Sequence, residues 1–257
     1  MHDMLPLARR DVIAARLAMG ESVVAAVLAA EFQTSEDAIR RDLRALASEG
    51  LCRRVYGGAL PPPAGARPLT QRVNEDRPRK HALARAAIEL IQPGDFLFLD
   101  TGSTNLELAR TLPRNIDLTV ATNSVDIAAL LLPRSDVQLL MIGGLVHPLV
   151  GGCVDASACS RIAEMNIGRC FIGVCAISPA VGLSVFDSAD ASFKRALLAA
   201  SQQRVVLVTT EKFDERAPHR VAELKEVGTY VLEHDSPLDQ RERLHGTGAR
   251  VVVAEKI

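Results

Sequence analysis

Seven short apolar runs, at 96–99, 118–121, 137–142, 170–174, 205–208, 230–232 and 251–254, occupy the chain from Gln92 onward. Polar turns bound each run, and segments of helix length and pattern separate them. Runs this short, without strict polar alternation, read as strands buried on both faces. Strands of that kind alternating with helices make an α/β domain with a mainly parallel sheet and helices on both faces. In such sheets ligands bind beyond the carboxyl ends of the strands. The residues that follow each run are therefore where a site is expected.

The first run ends in Asp100-Thr101-Gly102-Ser103-Thr104-Asn105, and a helical pattern (Leu106, Leu108, Ala109, Leu112) follows at once. An acid, then glycine and hydroxyls, then a helix start offers backbone N–H groups, hydroxyls and a helix dipole to an anion. Taken alone, the hexapeptide reads equally well as a turn in which Ser103 or Thr104 caps the helix. The other strand ends decide. Thr122-Asn123-Ser124 follows the second run and Gly143-Gly144 the third; Gly173-Val174 closes the fourth, with Gly182 further on. Thr209-Thr210-Glu211-Lys212-Phe213 follows the fifth. Any one of these glycines reads as a turn. Their recurrence at one sheet edge, with Lys212 and Lys194 as cations, reads as a pocket for a phosphorylated or polyhydroxylated small molecule.

The first sixty residues have a different pattern. Val12, Ile13 and Leu17 fall on one helical face, and Gly20 stops that helix. Ser22 is placed to cap a second short helix through Val23, Val24, Val27 and Leu28. A turn at 31–34 leads to a third helix capped by Thr34 or Ser35, with Glu36 and Asp37 at its positive end and Gly50 as its stop. Ile39, Leu43 and Leu46 form its inner face; Arg40, Arg41 and Arg44 point elsewhere. A short hairpin at 51–58 adds Arg53 and Arg54. Three helices and a basic hairpin are the parts of a winged helix-turn-helix. The segment holds eight arginines and eight acids, so placement carries the argument. Five of the arginines lie between Arg40 and Arg54, and their planar forks suit phosphates and guanine edges. The candidate DNA contacts are Thr34, Ser35, Arg40, Arg41, Arg44, Arg53 and Arg54.

Between the two regions, 60–69 is rich in proline and reads as a stiff connector. The expected organisation is a DNA-binding domain at 1–59, a linker at 60–69 and an α/β effector-sensing domain at 70–257. The stretch 70–91 reads as one long helix whose apolar stripe is available for dimerisation.

Composition removes several other functions. The net charge of −1 gives no protein-wide field toward nucleic acid or acidic membranes, so any DNA site is local. Aromatic residues make up 4% with no tryptophan, which disfavours a stacking surface for single strands. The five cysteines form no C-x-x-C pair and the six histidines no ligand spacing, so no metal or cofactor is expected, and reduced thiols fit a cytoplasmic protein. Residues 1–10 lack the apolar core of a secretory signal, and no apolar stretch is long enough to span a bilayer. The competing reading is a sugar-phosphate isomerase or deaminase with a fused helical domain, for which Asp100, Asp187, Glu211, Lys194 and Lys212 supply acid–base groups.

The motifs also resemble a known family. Ala38-Ile39-Arg40-Arg41-Asp42-Leu43, with Leu46, Gly50-Leu51, Arg53-Arg54 and Tyr56-Gly57-Gly58-Ala59, is similar to the signature of the DeoR-type bacterial transcriptional regulators. The resemblance continues through Asp100–Thr104, 119–124, Gly143-Gly144, 171–173, Lys194 and Lys212-Phe213. It implies a helix bearing Arg40, Arg41 and Arg44 in the major groove of double-stranded operator DNA. It also implies a sensor domain similar to ribose-5-phosphate isomerase, repression of a sugar-related operon, and a homodimer or homotetramer. Carried over residue by residue, Ser103, Thr104 and nearby amides, Gly102 included, hold a phosphate or hydroxyl. Thr122, Asn123, Ser124, Gly143 and Gly144 add contacts, Lys194 and Lys212 add charge, and Asp100 and Asp187 bind sugar hydroxyls. The chain departs at Ala38, where threonine is commoner, and at the acids Glu36, Asp37, Asp155 and Glu211.

Overall fold

The computed structural model describes residues 6–49, 51–61 and 66–256. Gly50, the expected stop of the third helix, and residues 1–5 and 62–65 lie outside the described residues. The chain divides into two compact units, Met1–Arg67 and Pro68–Ile257.

The first unit runs α1 (Pro6–Ala18), β1 (Val23–Val24), α2 (Ala25–Glu31), α3 (Glu36–Ser48), β2 (Arg53–Val55) and β3 (Gly58–Leu60), with an antiparallel sheet in the order β1-β3-β2. Ile13, Leu17, Leu28, Ile39, Leu43 and Leu46 fill its core, as the helical spacing requires. One expectation is corrected. Ser22 does not cap a helix: Val23 and Val24 pair with Ala59 and Gly58, which holds them extended, and α2 starts at Ala25 behind Val24, which makes no side-chain cap. The same pairing explains the glycines of the hairpin. Gly57 turns at φ +81°, and a Cβ on Gly58 would sit 2.0 Å from the Val23 carbonyl oxygen. Position 58 therefore excludes every side chain.

Asp42 is the second surprise. It lies between the exposed Arg41 and the buried Leu43, yet it is itself buried and accepts hydrogen bonds from Arg9 Nε at 2.7 Å and Arg10 Nε at 3.1 Å. It fastens α3 to α1. Removing one partner of a buried ion pair leaves an uncompensated charge. Asp42→Ala is thus expected to destabilise the first unit by about 3–5 kcal/mol, read by urea unfolding followed by far-UV circular dichroism. A loss below about 1 kcal/mol would place the pair among exposed bridges of little consequence.

The second unit begins with α4 (Leu69–Arg72) and α5 (Arg77–Ile88). The single long helix expected at 70–91 is therefore interrupted: Asp76 takes a left-handed φ of 45°, and Pro78, which has no N–H to donate, sits in the first turn of α5. Leu83, Ala84 and Ala87 pack in the core with Leu97, Leu99 and Leu106, so the apolar stripe is consumed inside the domain rather than offered to a partner.

There follow β4 (Phe96–Leu99), α6 (Ser103–Thr111), β5 (Leu118–Thr122), α7 (Val125–Leu131), β6 (Val137–Met141), the hairpin β7 (Val146–His147) and β8 (Gly152–Cys153), α8 (Ala156–Ala163) and β9 (Ile167–Ile172). The chain continues with β10 (Ala176–Ser178), β11 (Gly182–Val185), α9 (Ser188–Ala199), β12 (Ser201–Val208), β13 (His219–Ala222), β14 (Thr229–Leu232), α10 (Leu238–His245) and β15 (Arg250–Val253). A seven-stranded sheet, parallel throughout, takes the order β15-β14-β12-β9-β4-β5-β6. Each strand overlaps one of the seven apolar runs, although β9 and β12 begin earlier, at Ile167 and Ser201. Separate clusters of buried residues line its two faces, one gathering α8 and α9, the other α5, α6 and α7. A small antiparallel sheet, β10-β11-β13, completes the unit.

Candidate functional site

From β4 the chain steps outward to β5 and β6, then returns to β9 on the other side of β4 and steps away through β12, β14 and β15. Strand order reverses between β4 and β9, and a crevice opens at the carboxyl ends of strands flanking such a point. Asp100 follows β4 there and is wholly buried. Its Oδ1 accepts from Thr101 N at 2.8 Å, and its Oδ2 from Gly173 N at 2.8 Å and Lys194 Nζ at 2.6 Å. Asn105 Nδ2 donates to the Asp100 and Phe171 carbonyls at 3.0 and 2.9 Å. A Cβ on Gly173 would come 2.3 Å from the Thr101 carbonyl oxygen. Two residues of the hexapeptide, Asp100 and Asn105, thus bolt the ends of β4 and β9 together.

Lys194 lies between two carboxylates, 2.6 Å from Asp100 and 2.7 Å from Asp190 one turn back on α9. Burial works against its charge, but the two carboxylates outweigh that and raise its pKa above the ordinary lysine value. Burial pushes the Asp190 carboxyl upward, against the pull of Lys194. The Lys194 ammonium is therefore engaged in internal charge balance.

α6 begins with Gly102 as its N-cap, at φ 145°, with no side-chain cap bond. Neither Ser103 nor Thr104 caps the helix; both lie inside its first turn and are buried. Among the described residues Thr104 Oγ1 has no hydrogen-bond partner, and neither has Asn123 Oδ1, although Asn123 is fully buried. Asn123 Nδ2 donates to the Cys153 carbonyl at 3.2 Å. Its neighbours have local tasks: Thr122 Oγ1 donates to the Leu99 carbonyl and accepts from Ser124 N, and Ser124 Oγ caps α7. Thr210, beyond β12, lies against Glu233, whose carboxylate accepts from Thr210 N at 2.8 Å. A buried polar atom without a partner costs roughly 1–3 kcal/mol. Thr104 Oγ1 and Asn123 Oδ1, beyond the neighbouring strands β4 and β5, both carry that cost.

Charge is distributed unevenly around them. Lys212 is partly exposed, yet burial of its ammonium, followed by the positive charge of Arg72 and then of Lys80, pulls its pKa down to about 8. Lys80 is buried and donates to the Arg72 and Glu75 carbonyls at 2.7 and 2.6 Å. Gly143 and Gly144 form an exposed loop, which Asp155 holds in place. Asp155 accepts from Leu145 N and Ala158 N, each at 3.0 Å, and from Ser157 Oγ at 2.9 Å. Those hydrogen bonds lower its pKa, so the departure at this position is a helix cap and loop tie. Glu211 is exposed and accepts from Thr209 Oγ1 at 3.3 Å. Asp187 caps α9 and lies 3.4 Å from His147 Nε2 on β7.

In the first unit Ser35, rather than Thr34, caps α3, accepting from Ala38 N at 3.2 Å. Arg40 pairs along the helix with Glu36 at 2.8 Å and Asp37 at 3.4 Å, so the two acids are answered within α3. Arg41, Arg44, Arg53 and Arg54 are exposed, and Tyr56 at the hairpin tip is 108% exposed.

Comparison with known proteins agrees with this division. A model of the DeoR-like helix-turn-helix domain matches residues 9–62, and one of the DeoR C-terminal sensor domain matches residues 75–234. The chain belongs to the DeoR family. It is a DNA-binding transcriptional regulator rather than an enzyme, built as a winged helix-turn-helix followed by an α/β sensor. The HTH-type transcriptional regulator GlpR of Haloferax volcanii is 28% identical over 97% of this chain and 98% of its own length. The glycerol-3-phosphate regulon repressor of Escherichia coli K12 is 27% identical over 82% of this chain and 84% of its own length. Among solved structures, a D-ribose-5-phosphate isomerase in complex with phospho-erythronic acid aligns over 53% of each chain with 15% identity and a TM-score of 0.38.

Asp190, Lys80 and Arg72 escaped the sequence reading of this DeoR-family domain, as did the capping role of Asp155. Asp190 was legible as an acid one turn before Lys194, the ion-pair spacing on a helix. Asp155 directly precedes a helix, where a carboxylate is a common cap. Lys80 and Arg72 carried no signal, because they lie on helices remote in sequence from the strand ends. The unpartnered state of Thr104 and Asn123 is a property of packing alone. Among the described residues no helix is long and apolar enough to cross a membrane, and no cluster of side chains has the makings of a metal site.

Proposed function

We propose that this regulator represses a sugar-related operon and that its second unit senses a phosphorylated sugar or a related metabolite. One observation carries the sensing half: Thr104 Oγ1 and Asn123 Oδ1 are buried and unpartnered at successive strand ends, one of them within the first turn of α6. The first-turn amides of α6, Ser103 and the Thr104 hydroxyl suit a phosphate, and the Asn123 amide oxygen suits a sugar hydroxyl. Lys212, whose charge is not cancelled as that of Lys194 is, supplies the counter-charge. Asp100 and Lys194 shape the pocket floor, Thr122 and Ser124 fix the Asn123 turn, and Asp187 and Gly143-Gly144 border it. The names of the relatives, a glycerol-3-phosphate regulon repressor among them, support both the effector class and the sign of regulation.

In the DNA-binding half, α3 carries Arg40, Arg41 and Arg44 into the major groove, Thr34 and Ser35 flank its start, and Arg53 and Arg54 bring the hairpin to the backbone. A cytoplasmic homodimer or homotetramer supplies the paired modules that two half-sites require.

Two results are expected. Arg44→Ala lowers operator affinity by about 1–3 kcal/mol in fluorescence anisotropy if the guanidinium reads a base edge; unchanged affinity in Arg41→Ala and Arg44→Ala together would contradict the recognition-helix assignment. In a thermal-shift panel of sugar phosphates, at least one compound raises Tm, and its affinity follows Lys212. In the free protein this ammonium titrates at about 8. The bound phosphate favours the charged form, so binding takes up protons above that pH. Affinity is then level near neutrality and falls about tenfold per unit as pH rises beyond the lysine pKa. The phosphate group's own titration, near about pH 6, lies outside that window. Lys212→Met binds more weakly and without this pH dependence; an unaltered profile would remove Lys212 from the site.

A further inference from the structure

The sensor unit starts at Pro68, and its first element, α4, is held from both ends by groups around the effector site. At its N-terminal end, Leu69 N donates to the Leu149 carbonyl at 3.1 Å, and the Leu69 side chain is 1% exposed. Gly151 presses on that side chain: its φ is +78°, and a Cβ there would lie 2.5 Å from Leu69 Cδ2. Leu149 and Gly151 belong to the connection between β7 and β8. The same connection is fastened to the second strand end. Val125 N donates to the Gly151 carbonyl at 3.2 Å, and Cys153 N to the Asn123 carbonyl at 2.9 Å. A Cβ on Gly152 would come 2.4 Å from that same Asn123 oxygen. The contact chain thus runs from Leu69 through Gly151 and Cys153 to Asn123 without a gap. At the other end of α4, the Arg72 carbonyl accepts from Lys80 Nζ at 2.7 Å, and the Arg72 charge bears on Lys212. One short helix is therefore tied to Asn123 at its start and to Lys80 at its end, where the Arg72 charge faces Lys212.

We propose that α4 is the transmitting element of this regulator: Leu69, seated on Gly151 and bonded to Leu149, couples the β7–β8 hairpin to the chain where it leaves toward the DNA-binding unit. The inference rests on the effector reading given above. A ligand that takes up the Asn123 amide oxygen and the Lys212 ammonium bears on both anchors of α4. Any difference in their arrangement between the free and bound states then biases Pro68, the residue at which the sensor unit begins. Such coupling exists only if the ligand interacts differently with the two states, and it is reciprocal. Leu69 acts as a positioning residue. It touches neither DNA nor effector in this scheme.

The test uses the full chain and has two arms. In the first, without ligand, amide hydrogen exchange is compared between the wild type, Leu69→Ala, Gly151→Ala and the volume-conserving Leu69→Met. Leu69→Ala is expected to speed exchange at the amides of Val125, Gly151 and Cys153 by about tenfold or more, while the Asp100 amide, bonded to Phe171 in the sheet, stays protected. Gly151→Ala, which strains a left-handed position and displaces Leu69, is expected to affect the same amides, and Leu69→Met to leave them near wild type. Unchanged exchange at all three amides in both alanine variants would overturn the coupling. In the second arm, the sugar phosphate giving the largest thermal shift is titrated into the protein–operator complex. Leu69→Ala retains the thermal shift and its ligand-free operator affinity but loses most of the ligand-induced change in that affinity. A full wild-type response in Leu69→Ala would also overturn the proposal. Should no sugar phosphate shift the wild type, the effector reading fails, and the exchange arm still decides the coupling.

Discussion

A carboxylate with no exposed surface is tolerable only where hydrogen bonds and an opposite charge replace water. Asp100 meets that condition at the point where the sheet reverses its strand order, and much of the second unit depends on how it does so. Its two oxygens take the amides of Thr101 and Gly173 and the ammonium of Lys194. That fixes the end of β4 against the end of β9 and fastens α9 to the end of β4. The approach requires a glycine at 173, since any side chain there would strike the Thr101 carbonyl. Asp190 completes the charge balance from the same helix as Lys194. With these groups satisfied among themselves, Thr104 Oγ1 and Asn123 Oδ1 beside them lack partners among the described residues.

The first unit solves a related problem with the same chemistry. Asp42 is buried between Arg9 and Arg10, so the conspicuous I-R-R-D-L motif divides its labour. Ile39 and Leu43 enter the core, Asp42 clamps α3 to α1, and Arg40 and Arg41 remain at the surface. The hairpin glycines have an equally mechanical origin, because Gly58 lies against the Val23 carbonyl. The acids at the start of α3, which look unfavourable for a DNA-binding helix, are paired with Arg40 in the free protein. Releasing that arginine to a phosphate would leave the acids in place as a tuning charge.

Much of this was legible in the residues. All seven strands of the large sheet announced themselves, because a strand buried on both faces needs a continuous apolar run. The smaller strands did not: β7, β8, β10 and β11 are two to four residues long, too short for a pattern to show, and form as local hairpins. Val23 and Val24 resembled a helix start until Gly58 and Ala59 captured them as a strand. The break between α4 and α5 was signalled by Pro78 but hidden by the apolar spacing on either side. At the strand ends, residue types marked where polar groups gather, while their partners followed only from contacts. Lys194 reads as a cation for a ligand until its two carboxylate neighbours are seen.

The proposed effector site sets a phosphorylated ligand against the first turn of α6 beyond β4, over a floor built by Asp100 and Lys194. A crystal structure of the protein with a bound sugar phosphate tests it most directly. Phosphate oxygens are expected within hydrogen-bond distance of Thr104 Oγ1 and the α6 amides, with a sugar hydroxyl on Asn123 Oδ1 and the Asp100–Lys194–Asp190 bridge intact. A ligand bound instead in the cleft of about 380 Å³ lined by Val181, Arg220 and Lys225, or one that displaces Lys194 from Asp100, would contradict it.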